Sequence, residues 1–173
     1  MNTTERLVEL YYKLHLHCFT ATDVKIPEGN NRQLDMLAYC LKPEKAYHVE
    51  ASVTPIPRYQ PTPAALVEQF REKFLIEPQS RMDAAYRQLN LNPQLVQRVF
   101  CCWQRPDAAS MTPVIQAFAA ETGIQVELLS LRDEVFPALM KLVGTPNYED
   151  DILRTLSLIK QWHQQAPQAN LGL

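Results

Sequence analysis

Two acidic residues stand inside apolar runs on either side of a short polar turn, Asp35 in QLDMLAYC and Glu50 in AYHVEAS. Burying a lone carboxylate costs several kcal/mol unless a partner or a metal compensates it. Two of them brought together by one hairpin point to a shared divalent cation. Leu34 to Leu41 and Ala46 to Thr54 have the aliphatic, aromatic and β-branched composition of strands, and Lys42-Pro43-Glu44-Lys45 reads as the turn between them. Pairing centred on that turn sets Asp35 opposite Ser52. Glu50 shares the face of Ser52 at period two and then lies diagonally across from Asp35, within reach of one cation. A slip of one residue would put the carboxylates on opposite faces.

This segment resembles the PD-(D/E)xK nuclease superfamily, the restriction-endonuclease-like fold, in which an acidic strand residue is followed on the next strand by Glu-x-Lys. The matching residues are Asp35 and Glu50, and the lysine position holds Ser52. The resemblance implies Mg2+ or Mn2+ held by Asp35, Glu50 and the carbonyl of Ala51. It also implies hydrolysis of phosphodiester bonds in DNA, as an endonuclease or exonuclease, with a glutamate of the first helix, Glu5 or Glu9, joining the site. A serine hydroxyl carries no charge to stabilise a transition state at phosphorus. The basic group must then come from another element: Lys73 on the following helix is the preferred substitute, ahead of Arg71, Gln69 and Lys25. The other implication of Ser52 is a catalytically degenerate nuclease-fold module with a nucleic-acid-binding or assembly role.

Each residue also has a plainer role. Asp35 is satisfied by neighbouring backbone donors, Glu50 pairs with Lys45, Arg58 or His48, and Lys73 is a surface lysine. His48, on the face of Glu50, lines the pocket as a proton relay or is a buried structural histidine.

The elements that must position these residues follow from spacing. Thr3 or Thr4 caps a first helix carrying Leu7, Val8, Leu10, Tyr11 and Leu14. Cys18 to Ile26 alternates as a strand ahead of the two hairpin strands. After the prolines at 55, 57 and 61, Thr62-Pro63 starts a helix to about Leu75, and Pro78 to Leu89 forms another. Val96 to Trp103 is a continuous apolar strand. Residues 112 to 122 are a helix capped by Thr112-Pro113 and stopped at Gly123, and Ile124 to Leu131 is a strand. Helices over Asp133 to Val143 and Tyr148 to Gln164 close the chain. The order predicts an α/β fold, a mixed central sheet flanked by helices, restriction-endonuclease-like, in one domain over 1–173 with its core at about 3–131 and C-terminal helices at 133–165.

Composition bounds the partners. A chain of 173 residues that is 46% hydrophobic can bury a sizeable core. Its net charge of −2 draws nothing toward phosphate backbones overall, so a DNA partner needs a local patch, for which Arg58, Arg71, Lys73, Arg81 and Arg87 are candidates. Cys18, Cys40, Cys101 and Cys102 lack metal-ligand spacing and read as reduced, buried thiols of a cytoplasmic protein. No signal-like or membrane-spanning run is present, so no membrane partner is expected. Leu153, Leu156, Ile159 and Trp162 at helical spacing pack on the core or on a second copy, and a homodimer would suit cleavage of both strands of a duplex. Glycine-rich phosphate loops, nucleophile elbows and zinc-binding HExxH helices are missing from the sequence.

Overall fold

The computed structural model describes residues 2–28, 31–53, 62–144 and 148–165. Helix α1 (Thr3–Leu10) is capped by Asn2, earlier than the threonines expected. The Asn2 side chain accepts from the Glu5 N–H at 3.0 Å, and Glu5 accepts in return from the Asn2 N–H at 2.8 Å. This reciprocal cap satisfies donors that the first helical turn leaves open. The helix then widens into a π-helical turn, Tyr11–His15.

Strands β1 (Cys18–Lys25), β2 (Gln33–Leu41) and β3 (Glu44–Ala51) form an antiparallel meander, to which β4 (Val96–Cys102) and β5 (Val126–Ser130) add in parallel. The sheet order is β1-β2-β3-β4-β5. Parallel neighbours need crossovers. Helices α2 (Pro63–Phe74) and α3 (Gln79–Gln88) make the first and α4 (Ala108–Thr122) the second. Thr62 caps α2 ahead of Pro63 as predicted. Helix α4 instead starts under an Asp107 cap, leaving Thr112-Pro113 inside the helix, where the Thr112 hydroxyl donates to the Ala108 carbonyl at 2.8 Å. A π-helical turn (Leu131–Val135) leads into α5 (Phe136–Leu142), and α6 (Asp151–Gln165) follows. The prolines at 55, 57 and 61, and Arg58, lie outside the described residues.

The molecule is an α/β sandwich of three layers. On one sheet face Leu7, Val8 and Leu10 of α1 join Met36, Ala38, Val49, Val99 and Cys101, together with Leu139, Leu153 and Leu156 from α5 and α6. The C-terminal helices therefore complete this layer, while Ile159 and Trp162 of their stripe stay exposed. The other face is covered by α2, α3 and α4 through Leu66, Phe70, Phe74, Met82, Tyr86 and Phe118. Among the described residues no helix is long and apolar enough to cross a membrane.

The cysteines depart in part from expectation. Cys18 and Cys40 are register partners in the β1–β2 ladder and are joined in a disulfide rather than reduced. Antiparallel pairing brings such partners close enough to bond, which one-dimensional spacing does not display. Cys101 and Cys102 are free and buried, in the cores on opposite faces of the sheet.

Gly123 ends α4 at φ +73°, the left-handed conformation that disfavours a Cβ, and nothing lies within 4 Å of where that Cβ would stand. Gly123→Ala is therefore expected to lower stability by about 1 kcal/mol through backbone strain alone, with Gly123→Asn losing less. Urea denaturation of the two variants measures it.

Candidate functional site

The hairpin register differs from the centred pairing in an informative way. Leu41 pairs with Glu44, so the turn is Lys42-Pro43 alone, while Glu44 and Lys45 belong to β3. This moves the partner of Asp35 from Ser52 to Glu50, one step beyond the Met36–Val49 pair. A shift of two residues preserves the face, so the carboxylates stay together and end directly across from each other. The ladder gives way there to side-chain bonds. The Asp35 N–H donates to Glu50 Oε1 at 3.1 Å, and the Ala51 N–H donates to Asp35 Oδ2 at 2.9 Å.

A positive charge from α2 closes the group. Lys73 Nζ lies 3.1 Å from Asp35 Oδ2 and 2.9 Å from Glu50 Oε2, with side-chain exposures of 32% for Lys73, 18% for Asp35 and 3% for Glu50. Helix α2 buries Leu66, Phe70 and Phe74, one face of the helix, and Lys73 is the neighbour of the last anchor. His48, fully buried on β3, completes the surroundings, with Nε2 2.8 Å from Glu50 Oε1 and Nδ1 2.9 Å from the Tyr86 hydroxyl.

The two carboxylates differ electrostatically. Burial, and next the charge of Glu50, push Asp35 up to about 6 against the opposing Ala51 N–H and Lys73. Burial presses Glu50 upward as well, but its bonds to His48 and Lys73 outweigh this and hold it below the usual carboxylate range. Burial disfavours the Lys73 ammonium, yet Glu50 and then Asp35 raise it above an ordinary lysine. Glu50 is thus the firmly ionised member and Asp35 the one that takes up a proton.

The remaining residues singled out by sequence fall elsewhere. Ser52 is half-buried just after β3, its N–H donating to the Cys101 carbonyl at 3.0 Å. Helix α1 packs on the face opposite the carboxylate pair: Glu9 bonds Thr20, the register partner of Ala38 in the α1-side core, and also pairs with Arg6 and Lys13. Glu5 serves the α1 cap. Lys25 is exposed at the end of β1 and Gln69 is half-buried on α2. Of the basic candidates, Arg71 pairs with Glu121 at 2.6 Å, Arg81 with Glu77 at 2.9 Å and Arg87 with Asp83 at 3.9 Å, so each has an acidic neighbour within the chain. Tyr86 escaped sequence reading because it sits on a separate helix with nothing in the local pattern to mark it. A groove of about 740 Å³ between Phe19, Tyr39, Leu89 and Leu95 is lined by none of Asp35, Glu50, His48 or Lys73.

Among the described residues no group of three or more His, Cys, Asp or Glu side chains is arranged to hold a metal. The donor set nevertheless suits one hard cation. Asp35 Oδ2 and Glu50 Oε2 converge on a single positive atom, Lys73 Nζ. The Ala51 N–H, directly after Glu50 at the end of β3, also faces Asp35. Oxygen ligands of this kind, completed by water, suit Mg2+ or Mn2+, which would displace the ammonium.

No protein-family model matches the chain, and no curated protein matches it. Among solved structures it is similar to the crystal structure of AF1548, a protein of unknown function, at 14% identity over 92% of this chain and 79% of that one, with a TM-score of 0.45.

The raised Asp35 acidity has a definite sign in stability. The folded carboxyl keeps its proton up to about 6 whereas the unfolded chain releases it near 3.8, so folding takes up a proton between those values and stability falls as pH rises through that window. Glu50 acts the other way and at lower pH, its stabilisation being lost as pH falls through its depressed value. In chelator-treated protein, Asp35→Asn is expected to remove about 1–2 kcal/mol of this decline, after discounting for solvent screening. Lys73→Met, which leaves two carboxylates facing each other, is expected to cost on the order of 2–3 kcal/mol at neutral pH and to steepen the decline. Urea midpoints measured from pH 4 to 8 read both; a wild-type slope unchanged in Asp35→Asn would show that another group is responsible.

Proposed function

We propose that this chain is a restriction-endonuclease-like, metal-dependent hydrolase of phosphodiester bonds in DNA, with Asp35, Glu50 and Lys73 as its working residues. The observation that carries the reading is Lys73 Nζ, placed by α2 within hydrogen-bonding distance of both hairpin carboxylates. On this reading Lys73 supplies, from another element, the charge that Ser52 lacks. The antiparallel meander followed by helical crossovers into parallel strands, with the acidic pair on its second and third strands, agrees with this fold.

The residues divide the work by their surroundings. Asp35 and Glu50 each present one oxygen to a common point, and the Ala51 carbonyl is the third ligand on this reading. Mg2+ or Mn2+ bound there would acidify a coordinated water and offset charge on the scissile phosphate. Glu50, ionised and buried, anchors the cation, while Asp35, held protonated more readily, tightens only as it gives up its proton. Lys73 has a flexible stem and a partly exposed head, so once released from the carboxylates it can donate to a phosphate oxygen or hold the attacking water.

A second reading, a catalytically degenerate module with a nucleic-acid-binding or assembly role, is favoured by one observation. Lys73 is already engaged by the pair, and Arg71, Arg81 and Arg87 each have an acidic neighbour. The two readings separate in one set of measurements, using single- and double-stranded DNA with Mg2+ or Mn2+ and calorimetric titration of the same ions. A hydrolase is expected to cleave only with metal and to lose on the order of 100-fold or more in rate with Asp35→Ala, Glu50→Ala or Lys73→Ala. Asp35→Ala and Glu50→Ala should also lose ion binding, whereas Lys73→Ala should retain it. Folded protein that neither binds the ions nor cuts DNA would leave the degenerate module as the surviving reading.

A further inference from the structure

An ionised carboxylate as hidden as Glu50, 2% exposed, must have its acceptor sites filled by donors aimed at fixed positions. Glu50 Oε1 has two, the His48 ring at 2.8 Å and the Asp35 N–H at 3.1 Å, while Oε2 is left to Lys73 at 2.9 Å. Because a carboxylate only accepts, the proton of that bond sits on His48 Nε2. The opposite nitrogen, Nδ1, is hydrogen-bonded to the Tyr86 hydroxyl at 2.9 Å. Burial pushes Tyr86 up to about 12, so the phenol keeps its proton at neutral pH.

The dyad is also held sterically. The Phe74 ring meets His48 edge-on at 5.1 Å and 78°, the Tyr86 ring lies 5.8 Å away, and the Arg98 guanidinium stands 5.4 Å over Tyr86. Three elements, α2, α3 and β4, thus fix the direction of one imidazole. Phe74 is the residue after Lys73, so the same helical turn that delivers the ammonium also clamps the histidine.

We infer that His48 and Tyr86 are positioning residues that lock Glu50 in one orientation, with Oε1 turned to the main chain and Oε2 presented to the shared cation position. The inference builds on the reading of Asp35 and Glu50 as a cation site, but the lock itself exists in the metal-free protein. Neither residue touches the reacting atoms; Tyr86 acts on His48, and His48 acts on Glu50. Partners of this kind typically govern metal affinity by about 10- to 100-fold.

Nitrogen-15 NMR of the chelator-treated protein at neutral pH tests the lock directly. The expected wild-type result is a proton on His48 Nε2, hydrogen-bonded to Glu50, and a slowly exchanging Lys73 ammonium signal. His48→Gln, whose carboxamide can replace the Nε2 donor, should retain the ammonium signal, and His48→Leu should lose it. Tyr86→Phe removes one hydroxyl, keeps the ring packing, and should shift the His48 ring-nitrogen signals even if His48→Leu fails to fold. Mn2+ titration then reads the consequence: about 10- to 100-fold weaker binding in His48→Leu, with His48→Gln within severalfold of wild type. A His48 Nε2 that carries no proton in the wild type overturns the inference, as does folded His48→Leu with an unchanged ammonium signal and unchanged Mn2+ affinity. If the NMR results appear as expected but wild-type protein does not bind Mn2+, the lock stands and the cation-site reading of Asp35 and Glu50 fails.

Discussion

Two carboxylates placed directly across an antiparallel strand pair stay charged inside a protein only with a positive group between them. Much of the arrangement around β2 and β3 satisfies that requirement. The turn Lys42-Pro43 sets the register that makes Asp35 and Glu50 neighbours, and the ordinary ladder stops where they meet. Beyond that point the amides of Asp35 and Ala51 donate to the opposing carboxylates, so two main-chain donors remain satisfied while contributing to charge stabilisation. Lys73 supplies the compensating charge, and its asymmetric contacts leave Glu50 ionised and Asp35 the easier member to protonate.

The position of Lys73 follows from packing rather than from electrostatics. Thr62 and Pro63 fix the start of α2, and Leu66, Phe70 and Phe74 bind one of its faces to a core that includes Phe100 on β4. Phe70 meets Phe100 edge-on at 5.2 Å and Phe118 at 5.7 Å. Once these aromatics are seated, the residue before Phe74 emerges beside the hairpin with a stem long enough to reach both acids. Apolar burial, each large side chain contributing about 1.5–3 kcal/mol, sets the helix position, and the ion contacts select the rotamer at its end.

This division explains which features were legible in the sequence. Period-two alternation survives a register shift of two, so the shared face of Asp35 and Glu50 was readable even though Ser52 was assigned as the opposite residue. The start of α2 was readable because Thr-Pro constrains backbone locally. Lys73 stood out only because Ser52 left a charge to be found, not through any signal of its own. The Asn2 and Asp107 caps were missed because Thr3, Thr4 and Thr112-Pro113 offered equally good local chemistry nearby. Tyr86 and the Cys18–Cys40 bond depend on contacts between elements distant in sequence, which single-strand or single-helix periodicity does not encode.

On the proposed reading, the ammonium and a divalent ion compete for the same two oxygens. The competition is unequal because Lys73 is tethered: its effective concentration at the site is fixed by the helix, whereas the ion must supply its binding energy from solution. The Lys73 contacts that stabilise the metal-free triad therefore subtract from apparent ion affinity, since the bound state must first release Lys73. Partial exposure of the Lys73 head works in the opposite direction, because a displaced ammonium regains hydration that a buried one could not. Asp35 adds a further bias, for below about pH 6 it is protonated and offers the ion less charge. A site of this design would remain folded and partly charge-compensated without metal, and would release a basic group when an ion takes its place.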